Sequence, residues 1–177
     1  IRSRVAIEKL TVTYPAIDID DAYAIQLRNI ERSLARGAKI SGKKIGLTSK
    51  AMQDMFGVST PDFGHLFADM EARGGRIDRA SMVQPKVEAE IAFVLAQDLD
   101  PTREITARDV LAATDYVVAA LEIVDSRIGN WKIGYCDTVA DNASSGRYVL
   151  GTVRKKVSEI DLVAEAMEFS VNGEKRN

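Results

Sequence analysis

The spacing of apolar positions changes period several times along the chain. In "DDAYAIQLRNIERSLARG", residues 20–37, Tyr23, Leu27, Ile30 and Leu34 recur at i, i+4, i+7 and i+11, the spacing of one helix face. Asp20 or Asp21 can cap its start and Gly37 its end. "GKKIGLT" (42–48) predicts a short buried strand. Thr48 or Ser49 then caps a brief helix, "KAMQDMFG", with Met52, Met55 and Phe56 inward and Gly57 as its stop. Pro61 and Gly64 predict a turn-rich loop over 58–70, and "EARGGRID" predicts another turn. Strict alternation in "KVEAEIAFVL" (86–95) predicts a strand. Thr106 caps a short helix within "DPTREITARDVLAATDY". "YVVAALEIVDSRI" (116–128) reads as a second buried strand, and "DTVADNASSGRYVLG" (137–151) as a polar loop running into a third. Asn172-Gly173 is a type I′ hairpin signal whose returning arm has four residues before the sequence stops, so the native chain is expected to continue. No repeat or linker interrupts the pattern. Strands separated by short helices predict an α+β class, in a single domain spanning 1–177 with a helical N-terminal portion at about 1–40.

Composition narrows the function classes. A chain of 177 residues, 46% hydrophobic and 28% charged, is an ordinary soluble composition with enough length for a core. Its 24 basic and 26 acidic residues nearly cancel, which argues against nucleic acid or an anionic membrane surface as partner. No apolar run approaches the roughly 20 residues of a membrane-spanning helix. The start lacks a secretory apolar stretch and a Met. The single cysteine, Cys136, excludes an internal disulfide and fits a reducing cytosol, so a cytoplasmic location is expected. The single histidine, His65, excludes a zinc site built on two or more histidines. Carboxylates and lysines must carry the chemistry.

Glu88 and Glu90 share one face of the 86–95 strand among Val87, Ala89, Ile91, Phe93 and Leu95. Two readings follow: a solvated face of an edge strand, or half of a cation site, because two carboxylates on one apolar face repel unless a positive charge lies between them. Glu122, inside the apolar run "AALEIVDS", supplies a third carboxylate. Three carboxylates without a histidine cluster describe a hard-cation site for Mg²⁺ or Mn²⁺. Alternation turns one of Lys43 and Lys44 inward without saying which, and both also fit a solvated strand start. "DNASSG" (141–146) suits a loop holding a small polar ligand, or a simple turn. His65 reads as a loop residue or a proton donor, Trp131 as a core or subunit contact, and Cys136 as a bystander.

The blocks "GKKIGLTSKAMQDMFGVSTPDFGHLFADM", "QPKVEAEIAFVL", "ALEIVDSRIGNWKI" and "DTVADNASSGRYVLG" occur in this order. Together, from about Thr13 to Asn177, the chain resembles the 2-keto-4-pentenoate hydratases, in the hydratase/decarboxylase branch of the fumarylacetoacetate hydrolase-like superfamily. The resemblance implies a mixed β-roll or sandwich with short peripheral helices. It implies a divalent metal, Mg²⁺ or Mn²⁺, held by Glu88, Glu90 and Glu122, and it makes Lys44 the inward lysine. It also brings Asp62 and the Asp141–Ser144 loop towards the site. The expected roles are proton transfer or charge stabilisation for Lys44, and orientation of water or substrate for Asp62 and Ser144. The family implies a further C-terminal segment, in line with the interrupted hairpin, and a homo-oligomer.

The activity so implied is hydration of 2-hydroxypenta-2,4-dienoate (2-keto-4-pentenoate), a small 2-oxo/2-hydroxy dienoate of aromatic meta-cleavage catabolism, with a pathway decarboxylase or aldolase as an associated partner. The sister activity is decarboxylation of 4-oxalocrotonate (2-oxo-3-hexenedioate), from which Ala143 and Gly146 lean away. A non-catalytic partner subunit is the third reading, opposed by the intact Glu88, Glu90, Glu122 and Lys44.

Overall fold

Helix α2, Ile19–Ala35, is the longest element, and its start is set by a capping box. The Asp18 carboxylate accepts from the Asp21 N–H at 2.9 Å, and Asp21 accepts in return from the Asp18 N–H. The cap is therefore Asp18, with the expected Asp21 as its reciprocal partner. The buried stripe also differs from the predicted one. It consists of Ala22, Gln26 and Ile30, while Leu27 and Leu34 are exposed. Ala22 packs with Val139 and Ala140 of helix α5, Tyr135–Ala140, in a cluster where Ala22 and Val139 are fully buried. A small residue allows that close approach. The Gln26 amide donates to Phe63 O at 2.9 Å and Val139 O at 2.8 Å, so a polar residue occupies the centre of the stripe with its NH₂ group satisfied.

The computed structural model describes residues 4–176. Residues 1–3 of the expected N-terminal portion and Asn177 at the end of the expected hairpin lie outside the described residues. Two compact units are present, one drawing on Ile1–Val87 and Glu122–Tyr148, the other on Glu88–Leu121 and Val149–Asn177.

The first unit holds a short helix α1 (Leu10–Thr13), α2, α5, helix α3 (Lys50–Phe56) and an antiparallel ribbon of β1 (Ile40–Gly46) with β2 (Asp62–Phe67). Strand β2 corrects the loop predicted over 58–70. Pro61 stands just before the strand, where its missing N–H breaks no ladder bond. Gly64 lies opposite Lys44, where a side chain would collide with Asn142 O. Helix α3 is capped by Ser49, which accepts from Met52 N, and stopped by Gly57 at φ 67°. Met52 and Met55 are exposed rather than inward, and no residue of this seven-residue helix is buried. Helix α5 corrects the polar loop expected from residue 137. The Asp137 carboxylate accepts from Gly134 N, Thr11 N and Thr11 Oγ1, which starts the helix and ties α1 to it.

The second unit holds helix α4 (Ala107–Ala113), with Thr106 and Asp109 in a capping box, and the terminal hairpin of β6 (Phe169–Val171) and β7 (Glu174–Arg176). Asn172 and Gly173 have φ of 54° and 82°, as a type I′ turn requires. Strands β3 (Lys86–Leu95), β4 (Thr114–Val124) and β5 (Ser145–Leu150) form a three-stranded sheet in the order β3-β4-β5. The observed class is α+β.

Candidate metal centre and acid–lysine site

The β1–β2 register puts a functional side chain opposite a glycine twice. Lys44 pairs with Gly64, and Gly46 pairs with Asp62. These four residues share one face of the ribbon, so Lys44 and Asp62 are diagonal neighbours with open space beside each. The register settles the choice between the two lysines in favour of Lys44. Its ammonium donates to Ala143 O at 2.8 Å and lies 3.4 Å from Glu122 Oε2, and both side chains of the ion pair are 9% exposed. Asp62 is 2% exposed, and its buried Oδ1 has no hydrogen-bond partner among the described residues. Burial pushes the Asp62 carboxyl above its ordinary value; the Lys44 charge and the Gly46 and Asp62 backbone N–H groups pull it back only in part.

The glycines are steric necessities here. A Cβ on Gly46 would meet Asp62 Oδ1 closer than any real Cβ contact and would lie 3.3 Å from Lys44 Nζ. A Cβ on Gly64 would lie 2.7 Å from Asn142 O and 3.0 Å from Ser145 Oγ.

The carbonyl that receives Lys44 belongs to an unusual turn. Asn142, Ala143 and Ser144 all have left-handed backbones, with φ of 57°, 51° and 54°. No glycine relieves them, at about 1–2 kcal/mol per residue. The surroundings hold the turn in place. Asn142 accepts from His65 N at 2.7 Å and donates to His65 O at 2.8 Å, so its amide substitutes for a neighbouring strand along β2. Ser144 O accepts from Asp125 N at 2.7 Å, and Asn142 O accepts from Ser145 Oγ at 2.7 Å. Ser144 itself is buried with its hydroxyl 3.3 Å from Thr138 Oγ1. The turn reaches Lys44 through the Ala143 carbonyl. Behind the turn, Arg127 forms an ion pair with Asp141. Sequence reasoning passed over Arg127; its one signal is a cation directly after an apolar strand that already carries two acids.

The remaining candidates lie nearby or apart. His65 sits on β2 with Nδ1 buried; burial and the Lys43 charge lower its pKa. Trp131 donates to Gln84 O at 2.9 Å and takes the Lys86 ammonium 4.4 Å over its ring. Cys136 packs against the α2–α5 cluster.

Glu88, Glu90 and Glu122 are the three acids set in apolar strand sequence. Glu122 is buried, Glu88 and Glu90 are exposed, and β3 is an edge strand of its sheet. An all-carboxylate donor set suits a hard divalent cation and disfavours soft metals. The residues present fit such an ion.

No family-level sequence profile matches the chain. Individual relatives do. The chain is 51% identical over 169 residues to the 2-keto-4-pentenoate hydratase of Paraburkholderia xenovorans (strain LB400), covering 95% of this chain and 62% of that protein. It is 49% identical over 160 residues to a 2-hydroxypent-2,4-dienoate hydratase of Pseudomonas putida, covering 89% of this chain and 72% of the relative. Among solved structures, 4-oxalocrotonate decarboxylase from Pseudomonas putida G7, in complex with magnesium and adipate, superposes with a TM-score of 0.83 at 40% identity, over 89% of this chain and 60% of that one. A second structure of that decarboxylase, with calcium and acetate, gives 0.81. The chain thus spans about three fifths of the length of the first curated relatives it matches. Sequence identity near one half across most of the chain, carried on a shared fold, makes this chain a member of the 2-keto-4-pentenoate hydratase family of fumarylacetoacetate hydrolase-like proteins.

Proposed function

We propose that this chain carries the catalytic centre of a divalent-metal-dependent hydratase that converts 2-hydroxypenta-2,4-dienoate to 4-hydroxy-2-oxopentanoate in meta-cleavage catabolism. The observation that carries the reading is the Lys44 ammonium, buried between Glu122 and the Ala143 carbonyl on the ribbon face that also bears Asp62. The fuller assignment is a single domain with the family's β-roll, in a cytoplasmic homo-oligomer. It draws on the relatives named above.

The reaction has two proton-coupled halves. The dienol first loses its 2-hydroxyl proton and gains one at C5, which moves the remaining double bond to C3–C4. Water oxygen then bonds to C4, and C3 is protonated. Mg²⁺ or Mn²⁺ held by Glu88, Glu90 and Glu122 would supply Lewis-acid stabilisation of charge on the substrate's 2-oxygen. The chain's own groups do the rest. Asp62, a buried carboxyl with an unpartnered Oδ1, orients water or substrate. Lys44 stabilises negative charge developing beside Glu122. The Asp141–Ser144 loop positions the substrate, with Ser144 as its orienting hydroxyl.

The likeness to a decarboxylase of known structure favours one second reading, loss of CO₂ from 4-oxalocrotonate. Gly146 weighs against it. A Cβ there would lie 2.5 Å from Ile123 O, so this backbone requires the glycine. The test is to assay full-length protein on the dienol and on oxalocrotonate, with Mg²⁺, with Mn²⁺ and after exhaustive chelation. Metal-dependent hydration of the dienol supports the proposal, and CO₂ release alone supports the second reading. Undiminished turnover after chelation overturns the metal role. No turnover of either substrate leaves the partner-subunit reading.

A further inference from the structure

The Lys44 acceptor sits at the crest of a strained turn, and one side chain ties both ends of that turn together. Arg127 Nη2 donates to Asp141 O, immediately before the left-handed residues, and Nη1 donates to Ser145 O at 2.8 Å, immediately after them. Nη1 also donates to Asp125 O at 2.7 Å, while Nε and the Arg127 backbone N–H both bind the Asp141 carboxylate. A single planar fork therefore spans residues 142–144 from Asp141 to Ser145. Asp125 is fixed in turn by Val83 N and Gln84 N, which donate to its carboxylate. The Arg127 and Asp141 side chains are only 18% and 12% exposed, which shields the pair from solvent screening.

We infer that Arg127 is a positioning residue for the reaction: it closes the ends of the 142–144 turn and thereby aims the Ala143 carbonyl at the Lys44 ammonium. The inference rests on the proposed activity for its kinetic arm and on geometry alone for its structural arm. Arg127 touches neither Lys44 nor Asp62 in any described contact, so it acts through the turn. The role needs a fork that reaches several acceptors at once. Lysine keeps the charge opposite Asp141 but cannot span both carbonyls.

The test compares parent, Arg127→Lys and Arg127→Met in the full-length protein, with Arg28→Met, which removes only an exposed ion pair with Glu31, as control. Arg127→Met strands the Asp141 carboxylate and can fail to fold; Arg127→Lys is the deciding variant. Expected for Arg127→Lys are a folded protein, Mg²⁺ affinity and KM within two-fold of parent, and kcat lowered by about 100-fold, the scale of a misplacement near 1 Å. Amide exchange at Ser144 and Ser145, whose N–H groups bond Asp141 O and Asn142 O, should accelerate at least ten-fold. A lysine variant with parental kcat overturns the inference, because a purely charge-holding role is rescued by lysine. So does unchanged exchange at Ser144 and Ser145, or a kcat loss matched by an equal loss of Mg²⁺ affinity. A parent inactive on both substrates refutes the proposed function instead, and the exchange arm then decides the role of Arg127 by itself.

Discussion

Gly46→Ala isolates the placement of Asp62. The new methyl carbon would occupy the space of Asp62 Oδ1 and approach Lys44 Nζ to 3.3 Å. Asp62 is 2% exposed, so its carboxylate has nowhere to withdraw without moving Lys44 or parting β1 from β2. Overpacking of this kind costs about 1–3 kcal/mol. At the usual 2–4 °C per kcal/mol for a domain of this size, the Tm should fall by roughly 2–12 °C. The same displacement moves a group at the reaction site by an ångström or so, which lowers kcat by about 100-fold. Gly42→Ala supplies the internal control. It lies on the same strand, a Cβ there meets nothing within 4 Å, and alanine should leave activity intact and match or raise the Tm. Both variants are followed by thermal unfolding and by steady-state turnover of the dienol. If Gly46→Ala keeps parental Tm and kcat, the tight Gly46–Asp62 apposition is wrong and the role of Asp62 falls with it.

Three further outcomes are expected. Glu90→Gln should keep its fold but lose metal-dependent turnover, read by Mg²⁺ titration calorimetry alongside the assay; parental Mg²⁺ affinity would refute the ligand assignment. Asp62 has a raised carboxyl pKa, so the folded state binds its proton more tightly than the unfolded chain; the stability this confers is present below the ordinary 3.8 and is lost as pH rises through the folded value. Asp62→Asn should flatten that decline in urea unfolding measured across pH, and an unchanged pH slope would contradict the burial argument. Asn142→Ala removes both bonds to the His65 backbone and should cost about 1–3 kcal/mol in chemical denaturation, because it strands a half-buried donor and acceptor; a variant within error of parent would count against the strand-substitute role of Asn142.

Glu122 was legible as a buried acid because a carboxylate inside an apolar strand is costly enough to demand a reason; Glu88 and Glu90 stood in a similar run, yet they are exposed. Helix ends were legible where a short polar side chain bonds its own neighbourhood, as at Ser49 and Thr106. Cross-strand geometry was not. Gly64 looks like a strand breaker from its neighbours alone, and only the approach of Asn142 O explains why β2 needs it. Alternation left Lys43 and Lys44 equivalent; the family resemblance pointed to Lys44, and the register sets Gly64 opposite it. The α2 stripe misled because a hydrophobic count credits Leu27 and Leu34, whereas the helix contact selects a small Ala22 and an amide, Gln26. The left-handed turn carries no glycine, so nothing local announced positive φ.

Gln26 has a mechanical consequence. Its one amide holds Phe63 O, next to Asp62, and Val139 O, three residues before Asn142. The strand bearing the acid and the helix leading into the lysine's acceptor are thus referenced to the same point on α2. A displacement of α2 therefore pulls on both segments through one side chain, which couples the position of the acid's strand to that of the helix before the turn.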